Sequence, residues 1–338
     1  MKRKINFGVI GAGRIGKVHA ATLVQKVAQG NVIAVADVHR ESAEELGRKF
    51  DIPMITTNYL DIIEHQDVDA VVICSPTDTH VKYIIEAAEK GKHIFCEKPI
   101  DTDLKKIQSA LDAVKKAGVK LMIGFNRRFD PNFRRIHQMV VEGKIGDPHI
   151  LKITSRDPGP PPPEYIAGSG GMFVDMSLHD FDMARFITGS EVKEVFANAT
   201  VLVDPEIGKA GDIDTAIISL TFENGALGVI DNSRKAVYGY DQRLEIFGSG
   251  GMVNVDNNYP DNHKYYNGNG VHKTLPLNFF MDRYVEAYAV EMSEFCDAVI
   301  HDEEPSVNGK DGFMSVAIAL AANKSRLENR VVKMSEVL

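Results

Sequence analysis

The sequence contains little cysteine, no long apolar run and no excess of positive charge. Its three cysteines are odd in number and lack metal-ligand spacing, so we expect free thiols, a cytoplasmic location and no metal site: Cys74, Cys96 and Cys296. No segment approaches the ~20 consecutive apolar residues of a membrane span, and the N-terminus lacks a signal-peptide core. The formal net charge of −8, without a basic patch, argues against nucleic acid as a partner. These observations do not exclude a small polar ligand as the partner.

The length of the chain predicts two domains. Its 338 residues exceed what one hydrophobic core normally organises. Because 44% of the residues are hydrophobic and 25% are charged, and no repeat or low-complexity run is evident, both domains should be ordinary globular units.

A glycine-rich motif follows the first predicted strand, residues 5–10, and opens a helical pattern. The motif reads Gly11, Ala12, Gly13, Arg14, Ile15 and Gly16. Gly11 permits a tight turn, Gly13 lets a pyrophosphate approach the backbone, and Gly16 allows close helix packing. The helix N-terminus adds free N–H groups and a positive dipole end. The motif therefore predicts a dinucleotide site that includes Arg14 and Ile15, the alternative being a structural glycine turn.

An acidic residue at the end of the second predicted strand specifies the cofactor. Asp37 lies about 20 residues beyond Gly16, the distance at which an acidic side chain binds the adenosine ribose hydroxyls. Because an aspartate there repels a 2′-phosphate, we expect NAD and not NADP. His39 and Arg40 offer positive charge that would soften this preference.

Strand and helix patterns continue to alternate through residue 124, which predicts a parallel sheet covered on both faces and a Rossmann domain spanning residues 1–124. Two polar segments follow predicted strands at the edge where such sheets bind ligands. They contain Ser75, Pro76, Thr77 and His80, and then Glu97 and Lys98. We expect all six to contact the cofactor, although Thr77 or Thr79 could equally cap a helix. A lysine at this edge also predicts an active-site role for Lys98.

After residue 124 the pattern changes to longer strands joined by glycine turns. The turns at 223–225 and 248–251 favour antiparallel hairpins. Residues 125–338 should therefore form an α+β substrate-binding and oligomerisation domain around an open, mostly antiparallel sheet. Its proline-rich segment, residues 156–165, is expected to be rigid and extended.

A polar stripe lies in the middle of the chain, after Gly170 and Gly171. If the segment is one helix, Asp175, His179 and Asp182 share a face and should be half-buried among apolar neighbours. A half-buried carboxylate beside a histidine is typical of a proton acceptor. On the pattern alone, an aspartate near a helix start and a core histidine are equally expected.

These motifs together resemble the glucose-fructose oxidoreductase, inositol dehydrogenase and rhizopine catabolism (Gfo/Idh/MocA) family over essentially the whole chain. The resemblance is strongest to its inositol 2-dehydrogenase branch and implies a homotetramer. It implies catalytic roles for Lys98, Asp175 and His179 and a cis peptide before Pro99. The substrate-binding residues that it implies are Lys98, Arg127, Asp157, Asp175, His179, Asp182, Tyr238 and Tyr240.

The implied activity is NAD-dependent oxidation of a secondary hydroxyl of a cyclic polyol, in particular of myo-inositol to 2-keto-myo-inositol (scyllo-inosose). His179 would act as the base, Asp175 would orient it, and Lys98 would stabilise the alkoxide. The alternatives are a dehydrogenase of scyllo-inositol or another sugar, an NAD-dependent glycosidase, and a non-catalytic NAD-binding regulator.

Overall fold

The computed structural model describes residues 4–338, with the side chains of Pro163, Glu164 and Ala167 left aside. The chain separates into two compact units. The first unit contains the chain up to Phe129 together with Glu286–Met314, and the second contains Asp130–Val285 and Ser315–Leu338. A division of the chain at residue 124 thus differs from these units, because residues 286–314 also belong to the first unit.

The first unit is built on a parallel six-stranded sheet. Its strands are β1 (Ile5–Ile10), β2 (Gly30–Ala36), β3 (Met54–Thr56), β4 (Ala70–Ile73), β5 (His93–Cys96) and β6 (Leu121–Ile123). Its first helices are α1 (Arg14–Gln25), α2 (Arg40–Lys49), α3 (Tyr59–Ile63), α4 (Thr77–Glu89) and α5 (Leu104–Ala117), followed by a 3-10 turn at Asn126–Phe129. The strand order is β3-β2-β1-β4-β5-β6, and every neighbouring pair is parallel. The predicted Rossmann architecture is confirmed.

Local signals explain where some of these helices begin and end. The Asp103 side chain accepts a hydrogen bond from Lys105 N at 2.8 Å and caps α5, and Gly118 ends it with φ 68°. Helix α4 begins differently, because Pro76 is its N-cap and no side chain caps it. The alternative role for Thr77 or Thr79, capping α4, is wrong, since no side chain caps this helix and the Thr79 hydroxyl donates to the Pro76 carbonyl.

The second unit combines short helices with a mixed sheet. Its helices are α6 (Pro131–Val141), α7 (Pro163–Ser169), α8 (Met172–Asp175), α9 (Ser177–Thr188), α10 (Pro205–Lys209) and α11 (Phe280–Arg283). Its strands are β7 (Pro148–Arg156), β8 (Val192–Thr200), β9 (Thr215–Phe222), β10 (Leu227–Ser233), β11 (Asp241–Gly248), β12 (Gly251–Val255), β13 (Lys264–Asn267), β14 (Gly270–Lys273) and β15 (Val332–Lys333). The chain closes with α12 (Val285–His301), α13 (Gly309–Glu328) and a 3-10 turn at Met334–Glu336.

Seven of these strands form one sheet in the order β12-β11-β7-β10-β9-β8-β15, and β13 and β14 pair separately. All neighbouring pairs in the seven-stranded sheet are antiparallel except β7 and β10. Both predicted glycine turns connect antiparallel pairs, β9 with β10 and β11 with β12. The mostly antiparallel sheet is confirmed. The expectation of a wholly extended proline-rich segment is wrong, because α7 begins at its end.

Residues 286–314 belong to the first unit because their apolar side chains pack against its sheet. Phe295 on α12 is fully buried, and its ring centroid lies 6.1 Å from that of Phe7 and 5.9 Å from that of Phe95. These two phenylalanines belong to β1 and β5, so α12 covers one face of the parallel sheet. No helix in the described part of the chain has the length and apolar content that crossing a membrane requires.

Candidate active site

Loops of the first unit converge at the carboxyl edge of its sheet. The order of the strands reverses between β1 and β4, which creates the crevice where doubly wound sheets bind ligands. Backbone hydrogen bonds tie the loops together, from Gly11 N to Ala36 O at 2.8 Å and from Cys74 N to Ile10 O at 2.7 Å. The predicted cofactor residues therefore meet at one edge.

The glycine motif has the geometry that a pyrophosphate requires. Gly11 adopts φ +102°, and a Cβ there would lie 2.6 Å from the Cys74 carbonyl carbon. A Cβ on Gly16 would lie 1.9 Å from the Gly11 carbonyl oxygen, whereas a Cβ on Gly13 would meet no protein atom within 4 Å. Helix α1 begins at Arg14 without a side-chain cap or an acidic residue in its first turn. Its N-terminus is thus available to an anionic group, and the residues present fit a dinucleotide.

Asp37 joins the second strand to the glycine motif. Its Oδ2 accepts a hydrogen bond from Ala12 N at 2.7 Å, and its Oδ1 accepts one from His39 N at 2.8 Å. Each carboxylate oxygen retains a further lone-pair site for a ribose hydroxyl. The guanidinium of Arg40 pairs with Glu44 at 2.8 Å, which offsets the positive charge expected to soften the preference for NAD.

The segment after β4 has an accessible start and a buried end. Ser75 and Thr77 are half-buried and Pro76 is exposed. His80 is 1% exposed, and its ring nitrogens lie 2.8 Å from the carbonyl oxygens of Ser75 and Pro99. Because a protein carbonyl faces each ring nitrogen, His80 lies between the loop after β4 and the loop after β5.

Lys98 follows β5 and is half-buried. The peptide between Lys98 and Pro99 is cis, as the resemblance implies. The neighbouring Glu97 carboxylate lies 2.6 Å from Nε2 of His19, a buried residue of α1. Sequence reasoning missed His19, although it follows Gly16 by one helical turn on the face that packs inward. Arg127 lies in the 3-10 turn after β6 and is 5% exposed.

The polar stripe of the second unit lies on two helices. Helix α8 ends at Asp175 and α9 begins at Ser177, so the condition of a single helix, on which the shared face was argued, is not met. Met176, between them, keeps helical dihedrals of φ −98° and ψ −58°, which limits the break to one residue. Asp175 and His179 are half-buried as predicted, whereas Asp182 is 1% exposed.

A buried arginine that sequence reasoning missed contacts Asp175. Nη1 of Arg234 donates to Asp175 Oδ2 at 3.1 Å, and its Nη2 lies 3.7 Å from Asp212 Oδ2. The Tyr165 hydroxyl donates to Asp175 Oδ1 at 2.9 Å. The Asp175 carboxylate is therefore held from two sides. The signal in the sequence is slight, a single arginine directly after β10.

A buried polar network fixes the start of α9 to the sheet. The Ser177 hydroxyl donates to Asn232 Oδ1 at 2.6 Å, and Asn232 Nδ2 donates to Asp180 Oδ2 at 2.8 Å. Nδ2 of Asn232 also contacts the Ser155 carbonyl at 3.2 Å. His179 lies between Ser177 and Asp180 in sequence, so this network sets the position of its backbone.

The other predicted substrate residues of this unit lie at one sheet edge. Asp157 N donates to Ser233 O at 2.9 Å, and this contact joins the ends of the parallel strands β7 and β10. The Tyr238 hydroxyl donates to Asp241 Oδ2 at 2.6 Å. Burial, and then this hydrogen bond, raise the pKa of Tyr238. Tyr240 is buried, with its ring edge-on to Tyr284 at 6.1 Å.

The sequence of this chain is similar to those of known proteins. Residues 5–125 match the oxidoreductase family with an NAD-binding Rossmann fold, and residues 133–254 match the GFO/IDH/MocA C-terminal domain. A myo-inositol 2-dehydrogenase of Thermotoga maritima is 47% identical over 99% of this chain and 100% of its own.

Two solved structures are also similar. The crystal structure of a probable dehydrogenase from Thermotoga maritima has a TM-score of 0.97 at 47% identity, covering 99% of this chain and 100% of its own. A scyllo-inositol dehydrogenase from Lactobacillus casei, solved with NAD(H) and scyllo-inositol, has a TM-score of 0.91 at 28% identity, covering 98% and 100%.

The fold and the cofactor edge define an NAD-dependent oxidoreductase. The chain belongs to the Gfo/Idh/MocA family.

Proposed function

We propose that the protein oxidises the C2 hydroxyl of myo-inositol with NAD⁺, giving 2-keto-myo-inositol, NADH and a proton. The observation that carries this proposal is the Asp175 carboxylate, held between Arg234 and Tyr165 one turn before His179. Identity of 47% to a myo-inositol 2-dehydrogenase over nearly the whole chain supports the choice of substrate.

Three side chains divide the chemistry in this proposal. His179 takes the proton from the substrate hydroxyl. Asp175 orients the imidazole ring and stabilises the imidazolium. Lys98 donates a hydrogen bond to the same oxygen and stabilises its developing negative charge. NAD⁺, when bound, supplies the acceptor for the hydride.

The remaining predicted residues would bind the other hydroxyls. We assign this role to Arg127, Asp157, Asp182, Tyr238 and Tyr240. Tyr238 donates its hydroxyl proton to Asp241 and accepts a hydrogen bond from Arg156, so its remaining lone pair would accept a hydrogen bond from the substrate. Asp182 can only accept when ionised, which suits a polyol hydroxyl.

The test is a substrate screen that follows reduced nicotinamide by absorbance. With myo-inositol and NAD⁺, the wild-type protein should produce NADH. With myo-inositol and NADP⁺, it should produce NADPH more slowly. His179→Ala should lose about 100-fold to 10,000-fold in turnover while its affinity for NAD⁺ stays nearly unchanged. No NADH from any inositol isomer or from glucose would refute the proposal, and release of sugar without net NADH would favour a glycosidase.

A second candidate substrate is scyllo-inositol. The likeness to the scyllo-inositol dehydrogenase from Lactobacillus casei, solved with scyllo-inositol bound, favours it. The same screen separates the two isomers through their kcat/KM values.

We also propose that the protein forms a homotetramer in the cytoplasm. A row of apolar side chains crosses four neighbouring strands of the open sheet, and each is 40–54% exposed: Met252, Phe247, Ile150 and Leu227. Such a row is suited to a second copy of the chain. Light scattering should give four times the chain mass, and a monomer would contradict the assembly.

The proposed cytoplasmic location rests on the cysteines. The free thiols of Cys74, Cys96 and Cys296 suit a reducing compartment.

A further inference from the structure

Lys98 lies in sequence between two residues that are each held by a buried histidine. Glu97 contacts His19, and Pro99 contacts His80. The two histidines belong to different helices, α1 and α4. Each of these helices begins in a loop of the cofactor edge.

The first contact connects the Glu97 side chain to the helix of the glycine motif. His19 Nε2 and Glu97 Oε1 are 2.6 Å apart, and the His19 side chain is fully buried. The His19 ring stands edge-on to Phe95 at 4.9 Å and to Tyr288 at 5.5 Å. A Cβ at Gly124 would lie 3.1 Å from the Glu97 carboxylate. The pair therefore has little room to move.

The second contact connects the Pro99 backbone to the loop after β4. The Nδ1 and Nε2 atoms of His80 lie 2.8 Å from the carbonyls of Pro99 and Ser75, respectively. Carbonyl oxygens only accept, so a neutral ring can make one of these hydrogen bonds and the imidazolium can make both. Burial lowers the pKa of His80, while the two carbonyls and the charges of Glu97 and Asp101 oppose this effect.

We infer that His19 and His80 are positioning residues that fix the Lys98 backbone relative to both cofactor loops. This inference rests on the proposed role of Lys98 in alcohol oxidation. Both histidines act through a neighbour of Lys98 in the chain, and neither needs to contact a ligand. Catalytic groups depend on such supporting contacts, because a displacement of about 1 Å can cost about 100-fold in rate.

The test uses full-length protein and two variants that keep the packing. His19→Phe retains an aromatic ring against Phe95 and Tyr288 but removes the hydrogen bond. His80→Gln carries its donors on one nitrogen, whereas the His80 ring presents a separate nitrogen to each of the two carbonyls. Each should lower kcat about 10-fold to 100-fold, while the NADH dissociation constant changes less than about threefold. Because Gln can accept the hydrogen bond from His19, Glu97→Gln should retain more kcat than Glu97→Ala.

His65→Gln is the matched control. This half-buried histidine of the same unit precedes β4, and its Nδ1 accepts a local hydrogen bond from Asp67 N at 3.2 Å. It should leave kcat unchanged. Values of kcat within twofold of wild type for both His19→Phe and His80→Gln would overturn the inference. So would equal losses of kcat and NADH affinity, because these would indicate general misfolding.

A second measurement does not depend on activity. Reductive ¹³C-methylation of the lysines gives each a dimethylamine NMR signal, and Lys98→Arg identifies the signal of Lys98. This signal should move in His19→Phe and His80→Gln but not in His65→Gln. An unmoved signal in both variants would overturn the inference. If the wild-type protein oxidises no polyol while the signal moves as expected, the proposed function fails and the positioning of Lys98 stands.

Discussion

Replacement of Arg234 by methionine should impair both folding and turnover. The Arg234 side chain is 1% exposed, and it pairs with Asp175, which is 15% exposed, and Asp212, which is 11% exposed. Methionine fills much of the same volume but carries no charge. The substitution would leave two nearly buried carboxylates without their shared cation.

The size of the effect follows from this burial. Removing one partner of a buried ion pair costs about 3–5 kcal/mol. We expect the lower end, about 3 kcal/mol, because both carboxylates keep some access to water. In a unit of this length each kcal/mol shifts Tm by about 2–4 °C, so Tm should fall by about 6–12 °C. Loosening of Asp175 should also lower kcat about 10-fold to 100-fold.

Thermal melts and steady-state NADH production measure the two effects. Arg234→Lys is informative because it keeps the positive charge but loses the planar guanidinium. An ammonium group can pair well with one of the two carboxylates, whereas the guanidinium presents donors to both. This variant should recover part of the stability. The control is Lys209→Met, which breaks an exposed pair with Glu206 and should cost less than about 1 kcal/mol. If Arg234→Met keeps wild-type Tm and kcat, the assigned role of Arg234 is wrong.

Three further predictions concern the cofactor and pH. Gly13→Ala should melt like wild type without cofactor but bind NADH weakly in a fluorescence titration, whereas Gly16→Ala should destabilise the protein without cofactor, because its Cβ meets the Gly11 carbonyl at 1.9 Å. Asp37→Ser should raise the ratio of kcat/KM for NADP⁺ to that for NAD⁺ by about tenfold or more, since the repulsive carboxylate is lost; an unchanged ratio would contradict its role. Burial alone would raise the pKa of Asp214, but hydrogen bonds from three backbone N–H groups and Thr215 lower it. The ionised form therefore stabilises the fold at pH values above the ordinary aspartate pKa, and this stabilisation is lost as pH falls from that value through the lower pKa of the folded state. Melts from about pH 5 to about pH 2 should show a shallower loss of Tm for Asp214→Asn than for wild type.

Local sequence signals predicted the first unit well because its strands are short, apolar and separated by clear helix ends. The first strand, residues 5–10, was placed as the structure has it. The grouping of residues 286–314 with this unit could not be predicted. It depends on contacts of Phe295 with Phe7 and Phe95, which are nearly 300 and 200 residues away along the chain, and helical periodicity does not identify the partner of an apolar face.

In the candidate site, too, local features could be predicted from the sequence and long-range contacts could not. The glycine motif and Asp37 are local patterns with fixed spacing, so their convergence was predictable. Arg234 and Tyr165 contact Asp175 from 59 and 10 residues away, and no spacing rule connects them. His80 was expected at the cofactor, but its burial and its two carbonyl contacts depend on where the Pro99 loop lies. Long-range polar contacts of this kind require the tertiary structure.

Deuterium transfer tests the central claim most directly. Wild-type protein is incubated with NAD⁺ and myo-inositol deuterated at C2, and the products are analysed by mass spectrometry and NMR. Direct oxidation at C2 predicts reduced nicotinamide with one deuterium at C4, formed in equal amount with unlabelled 2-keto-myo-inositol. Reduced nicotinamide without deuterium, or none at all, would contradict the account.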